Sequence, residues 1–242
     1  MPAQDPRRAP PLFPRSILAG PTLDAARALL GARLVRAPDD SGGTRRVGRI
    51  VEVEAYIGEE DRASHARMGP TARNGVMFGP PGAAYVYLVY GMHHCLNVVT
   101  EHAPRPAAVL IRAVEPLEGA DAMRAARDAA SGRARPAPAA GEARGTASAM
   151  IPAPARRYVA DARLAAGPGL VAAAFSVDRS HTGIDLCDPA SPLRLEAAPA
   201  GERTWAVEAT PRIGIGYAGE PWASVPWRLI VTGSPALSGR RR

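Results

Sequence analysis

Glu52, Glu54 and Tyr56 stand two residues apart in VGRIVEVEAYI, residues 47–57. Apolar and polar types alternate there with the period of a strand. Ile50, Glu52, Glu54 and Tyr56 therefore share one face, and Val47, Val51, Val53, Ala55 and Ile57 take the other. A carboxylate so placed can take a proton from water, and a tyrosine beside it can line a site for a flat ligand. Two glutamates on one face would repel each other if both were buried and ionised; a solvated face is the plain alternative. They do not form a glycosidase pair, whose carboxylates flank the scissile bond at about 5–9 Å. Neighbours at i and i+2 on one strand are not opposed in that way. Glu54, beside Tyr56 at the strand's end, is better placed than Glu52 to line a site.

A second concentration of chemistry lies at 83–97, AAYVYLVYGMHHCLN, which holds three of the six tyrosines and two of the five histidines. The same parity puts Tyr85 and Tyr87 on one face of a strand and Val86 and Leu88 on the other. Gly91 breaks the strand, and Tyr90 beside it can project beyond the sheet. A tyrosine face packed as core would show the same pattern. His93, His94, Cys95 and His102 are metal-ligand types. Adjacent strand residues point apart, however, and no C-x-x-C or H-x-x-x-H spacing occurs, so no metal site is expected. Arg112 is the one charge in the apolar run AAVLIRAV, 107–114. A structural ion pair and a site arginine both fit it. His65 is the only histidine in a Gly-, Pro- and charge-rich loop at 58–82.

The elements that must position these residues follow in order. Thr22 reads as a helix N-cap, with Asp24 in the first turn, Leu23, Ala26, Leu29 and Leu30 as the apolar face, and Gly31 as the C′ stop. Strands are predicted at 32–36, 47–57, 83–90, 95–100, 107–114, 193–197, 205–208, 212–215 and 227–231, and helices at 117–130 and 169–175. Residues 1–16 and 236–242 read as tails, and the low-complexity stretch 131–155 as a flexible insertion within one domain, 17–235.

Composition bounds the rest. The 242 residues, 46% hydrophobic and 22% charged, suit a globular chain with one good core. No apolar run reaches the ~20 residues of a membrane span. Two cysteines are too few for a disulfide scaffold, so a cytoplasmic, reducing setting is expected. A net charge of +7 suggests a polyanionic partner such as nucleic acid. All 30 basic residues are arginine, so no side-chain amine exists to form a Schiff base.

The segments IVEVEAYIG, DRASHAR, RNGVMF, YVYLVYGMHHCLNVVT and VLIRAVEPLEG, in this order and spacing, resemble the alkyladenine (3-methyladenine) DNA glycosylase family. Weaker likeness extends to the helix at Thr22 and to AGPG, PRIGIGYAGE and VTGSP. The resemblance implies an α/β domain with a curved, mainly antiparallel sheet and flanking helices. It implies a monofunctional enzyme of base-excision repair that flips a damaged purine from duplex DNA and hydrolyses its N-glycosidic bond. On that pattern Glu54 deprotonates the attacking water with Arg112 as its neighbour. Tyr56, His65 and Tyr87 line the base pocket, and Asn97 borders it where a guanine 2-amino group would collide. Tyr90 is the wedge that fills the gap left in the DNA, with Met92 and His93 beside it at the minor groove. The expected partner is double-stranded DNA carrying damaged purines. The protein is expected to be a monomer with no cofactor or metal, working at a bacterial nucleoid. His93 and His94 stand where relatives often carry aromatics, and Leu170 and Val171 where many carry lysine and leucine.

Overall fold

The computed structural model describes residues 11–38, 42–132, 160–199 and 201–239. Strand β2, Arg46–Ile57, runs through the middle of a nine-stranded antiparallel sheet. Its burial is nearly continuous because both faces are covered. Along one edge it pairs with β5, Ala107–Glu118. Along the other it is shared: β1, Arg33–Arg36, takes its first residues, and β9, Arg228–Val231, takes Glu52–Glu54. Beyond β5 come β4, His93–Val99, and β3, Ala84–Val89. Short strands complete the sheet: β6, Ala165–Ala166, on β5; β7, Leu193–Glu196, on β1; and β8, Val207–Thr210, on β9. Helices α1, Arg15–Leu18, α2, Thr22–Leu29, α3, Ala120–Ala130, and α4, Pro168–Ala174, accompany it.

Val51, Val53 and Ala55 of β2 join Val86, Leu96, Val98, Val109 and Ile111 in the main core with the helices. The opposite parity carries Tyr85, Ala108 and Met77 in a smaller cluster, which is the face that bears the polar residues. Period-two patterning sorts the two faces as expected from Val51 to Tyr56. Ile50, expected beside Glu52, packs instead in the main core, because the ladder is irregular between Ile50 and Val53.

Several expectations are corrected. Thr22 is the first helical residue and Pro21 holds the cap position, its fixed φ of −54° suiting a helix entry. The Thr22 N–H and hydroxyl both go to the Glu101 carboxylate, whose charge suits a helix N-terminus. Leu23 is 37% exposed; Thr22, Ala25, Ala26 and Leu29 form the buried stripe instead. Gly31, with φ +87°, ends α2 as expected, and a Cβ there would collide with the Trp205 ring. Residues 117 and 118 extend β5, and left-handed Gly119 turns the chain into α3. Residues 212–215 form no strand, since Arg212 is drawn into a buried ion pair and the Ile213 N–H into a side-chain bond. Of the expected N-terminal tail, Leu12 bridges to Glu196, Phe13 is buried, and residues 15–18 form α1. Of the expected C-terminal tail, Ala236 is buried and Ser238 bonds Glu52. Residues 1–10 and 240–242 of the two expected tails and the 133–155 part of the expected insertion lie outside the described residues.

Candidate active site

Strand register assembles the site. Tyr85 pairs with Asn97, Asn97 with Leu110, Leu110 with Glu54, and Glu54 with Arg228, one lateral row across five strands. Between Ile111 opposite Val53 and Ala113 opposite Glu52, the ladder skips Arg112. This irregularity lets the Arg112 side chain reach both glutamates, as bulges re-aim side chains elsewhere. Its Nε donates to Glu52 Oε1 at 3.0 Å and its Nη1 to Glu54 Oε2 at 3.2 Å. Arg112 is therefore an ion-pair residue and a site neighbour at once. Desolvation works against its charge, but Glu54 and Glu52 outweigh that and raise its pKa.

Glu52 and Glu54 are both fully buried, so the solvated alternative is excluded. Glu54 Oε2 also accepts from the Tyr56 hydroxyl at 2.9 Å, and Oε1 from the Ile213 N–H at 2.7 Å. Burial, and then the nearby Glu54 charge, push the Tyr56 phenol well above its ordinary range, so it stays a donor. Around Glu52, burial favours the neutral acid. The Ser238 hydroxyl and N–H, with Arg228, overcome this and bring the pKa below the usual carboxylate value.

Beside this cluster lies a recess lined by Tyr56, His65, Tyr85, Tyr87, Asn97 and Tyr217, with Ala63, Met77 and Ala108. Glu54 does not line it; Tyr56 connects the two. His65 stands edge-on to Tyr87 with centroids 4.4 Å apart, and its Nδ1 meets the Tyr85 hydroxyl at 2.8 Å. Partial burial of the ring, then Arg73 and Arg67, lower the His65 pKa to about 4, so it is neutral at physiological pH. Burial and Cys95 raise Tyr87, which remains a neutral phenol. Asn97 donates its amide to the Tyr85 carbonyl at 3.0 Å, which locks the side chain at the wall. Arg73 sits 5.4 Å over the Tyr87 ring at the exposed side. Phenol and imidazole rings lining one recess suit a flat, electron-poor ring.

Tyr90, Met92 and His93 lie apart from the recess, at the tip of the β3–β4 hairpin. Tyr90 is 85% and Met92 71% exposed, and Tyr90 has a positive φ of 52°. Bulky residues rarely accept that conformation. Gly169 at the start of α4 lies close against the His93 side chain, within 3.1 Å of a Cβ built there. Among the described residues, no group of three or more His, Cys, Asp or Glu is arranged to hold a metal.

The sequence profile of the methylpurine-DNA glycosylase family matches residues 16–235. The chain belongs to that family. A relative from Methanocella arvoryzae is 44% identical over 230 residues, 95% of this chain and 97% of the relative. One from Myxococcus xanthus is 44% identical over 235 residues, again 95% and 97%. The DNA-3-methyladenine glycosylase of Homo sapiens is 40% identical over 219 residues, 90% of this chain and 65% of the human protein.

In this member of the family, the residues expected to act together fall into two groups. Glu54, Arg112, Tyr56, His65, Tyr87 and Asn97 gather at one face, while Tyr90, Met92 and His93 form a separate projection. Other contributors were not singled out from sequence. Tyr85 lines the recess, and the parity it shares with Tyr87 was the available signal. Asp61 and Arg212 form a fully buried bidentate pair at 2.6 and 2.9 Å, with Arg212 between the rings of Tyr56 and Trp227. This pair fastens the 58–82 loop to the segment whose Ile213 N–H holds Glu54. Tyr217 joins the recess from the segment PRIGIGYAGE, whose likeness to the family was the available signal.

Proposed function

We propose that this chain is a monofunctional DNA glycosylase that extrudes alkylated purines from duplex DNA and hydrolyses their N-glycosidic bond with a water activated by Glu54. Membership in the methylpurine-DNA glycosylase family makes it a hydrolase of N-glycosyl bonds acting on DNA. The observation that carries the finer reading is the buried Glu54 carboxylate adjoining an aromatic recess. Its Oε2 is engaged by Tyr56 and Arg112, while its Oε1 accepts one N–H and keeps a second lone pair for another donor.

In the reaction the water oxygen bonds to C1′ as its proton passes to Glu54. The C1′–N bond breaks and its electron pair goes to the purine. A purine alkylated on a ring nitrogen is cationic, so it departs as a neutral base without an acid. Contact with the rings of Tyr87, Tyr56 and His65 favours such a cation. A neutral His65 adds no opposing charge. The Glu54 carboxylate also faces the positive charge developing on the sugar. Tyr90 fills the space the base vacates and offsets part of the few kcal/mol that extrusion costs. Double-stranded DNA is the partner, held in part by an arginine-only basic surface, and the protein acts as a monomer.

The test is release of methylated purines from DNA treated with a methylating agent, followed by strand analysis. The expected product is intact abasic DNA, with no covalent complex trapped by borohydride because no lysine exists. Strand cleavage through a trapped adduct, or release from free nucleosides but not from duplex DNA, would reject this reading.

A further inference from the structure

Glu52 does not reach the recess, yet it is as buried as Glu54 and more heavily bonded. Four donors converge on it. They are Arg112 Nε at 3.0 Å, Arg228 Nε at 2.7 Å, and the Ser238 N–H and hydroxyl, each at 2.6 Å. A buried carboxylate needs a counter-charge and donors for its remaining lone pairs, wherever in the fold they come from. This one spends its bonds on two arginines, and one of them is the arginine that touches Glu54.

The charged and titratable groups facing the pair come from every neighbouring element. Tyr56 stands on β2 itself, Arg112 on β5, and Arg228 on β9, where it is also the register partner of Glu54. Tyr87 on β3 and Cys95 on β4 feel the Glu54 charge, burial holds both as neutral acids, and a side-chain hydrogen bond links them. Ser238 closes over Glu52 from the C-terminal segment. Two carboxylates and two guanidinium groups thus balance with nothing left over. A free guanidinium would meet a carboxylate as a two-pronged fork. Here Nε of Arg112 donates to Glu52 and Nη2 to the Ser238 hydroxyl at 3.3 Å, so a single N–H, on Nη1, reaches Glu54, on Oε2.

We propose that Glu52 is a positioning residue for excision: by holding Nε of Arg112 directly and Nη2 through the Ser238 hydroxyl, it limits that arginine to one bond with Glu54 and keeps Glu54 available as a base. The proposal rests on the reading of Glu54 given above. Ser238 and Arg228 hold Glu52 in turn, so a segment at the C-terminal end takes part in tuning the site.

Signs follow from Coulomb attraction. Removing the Glu52 charge, as in Glu52→Gln, deletes a like charge beside Glu54 and frees Arg112 to fork onto it. Both effects make Glu54 harder to protonate and a weaker base. Removing the Arg228 charge, as in Arg228→Gln, takes a cation from the pair and leaves Glu52 to draw Arg112 away. Both effects make Glu54 easier to protonate.

The experiment is the pH dependence of methylated-purine release, under single turnover, from one batch of methylating-agent-treated duplex DNA, so that substrate titration cancels between proteins. Glu52→Gln is expected to lower the plateau rate about 10-fold and move the acid limb down by about one pH unit. Arg228→Gln is expected to move the limb up, with DNA affinity within about 2-fold of wild type. Damage to packing alone would lower rates without moving the limbs in opposite directions. If Glu52→Gln does not fold, the Arg228→Gln limb decides by its direction. Limbs that stay in place, or move together, would overturn the role of Glu52 while leaving Glu54 intact. No release by the wild type at any pH would instead overturn the glycosylase reading, and this proposal with it.

Discussion

The carboxylate cluster on β2 and the hairpin tip between β3 and β4 are built on opposite terms. Glu52 and Glu54 have no exposed surface, and their donors come from β2, β5, β9 and the segments around 213 and 238. Tyr90 and Met92 are largely exposed, and Tyr90 is held in a conformation that disfavours its own side chain. The difference teaches how one sheet can serve two demands. A base must be fixed in place and kept ionised away from bulk water, which only many converging donors allow. A side chain that enters another molecule must be left uncovered, and a tight turn with positive φ can hold it out from the sheet.

Breaking the buried half should cost most. Glu54→Gln keeps the shape and the Ile213 and Tyr56 neighbours but removes the proposed base. Excision is expected to fall by at least 10²–10⁴-fold, the typical worth of a positioned base. Lesion-DNA binding should persist, because an anion leaves a site that meets a polyanion. A variant that released base near the wild-type rate, in single-turnover assays, would erase the contrast between the two regions.

The exposed half should respond in the reverse sense. Tyr90→Gly relieves the positive φ, so stability should rise by about 1 kcal/mol, or about 2–4 °C in Tm at this chain length. Excision from a well-paired duplex should fall, and less so from a mismatched duplex whose lesion is already loosely stacked. Equal losses on both duplexes would remove the wedge role, and a lower Tm would remove the strain at Tyr90.

The smallest effect sharpens the boundary between the halves. His65 sits in the recess with Arg73 and Arg67 nearby, and its imidazole should titrate at about 4 in an NMR pH series. Arg73→Gln removes a facing positive charge and should move that midpoint upward. With the folded value below the ordinary 6.5, the unfolded chain takes up the proton first. His65 therefore contributes stability above pH 6.5 that is lost as pH falls towards 4. A wild-type midpoint at the ordinary value would mean the recess is as open as the hairpin tip.

Much of this was legible before any coordinates. Alternation in VEVEAYI and AAYVYLVY assigned Glu54 with Tyr56, and Tyr85 with Tyr87, to common faces, because a strand's parity is local and admits no other sorting. Gly31 as a helix stop and Gly91 as a strand breaker were equally local. The Thr22 cap was misplaced because its partner is Glu101, far along the chain. Residues 212–215 were mistaken for a strand because their apolar pattern does not reveal that Arg212 is pulled to Asp61.

By itself, then, the sequence determined which side chains share a strand face, where the breaks fall, and the family. The tertiary structure alone decided what those faces meet. The ladder skips one residue, and this brings Arg112 between two glutamates. Asp61 finds Arg212 across 151 positions, and Ser238 closes on Glu52 across 186. The physical reason is range: φ and ψ preferences act over a few neighbours, while a buried charge can be satisfied only by donors that folding brings from anywhere in the chain.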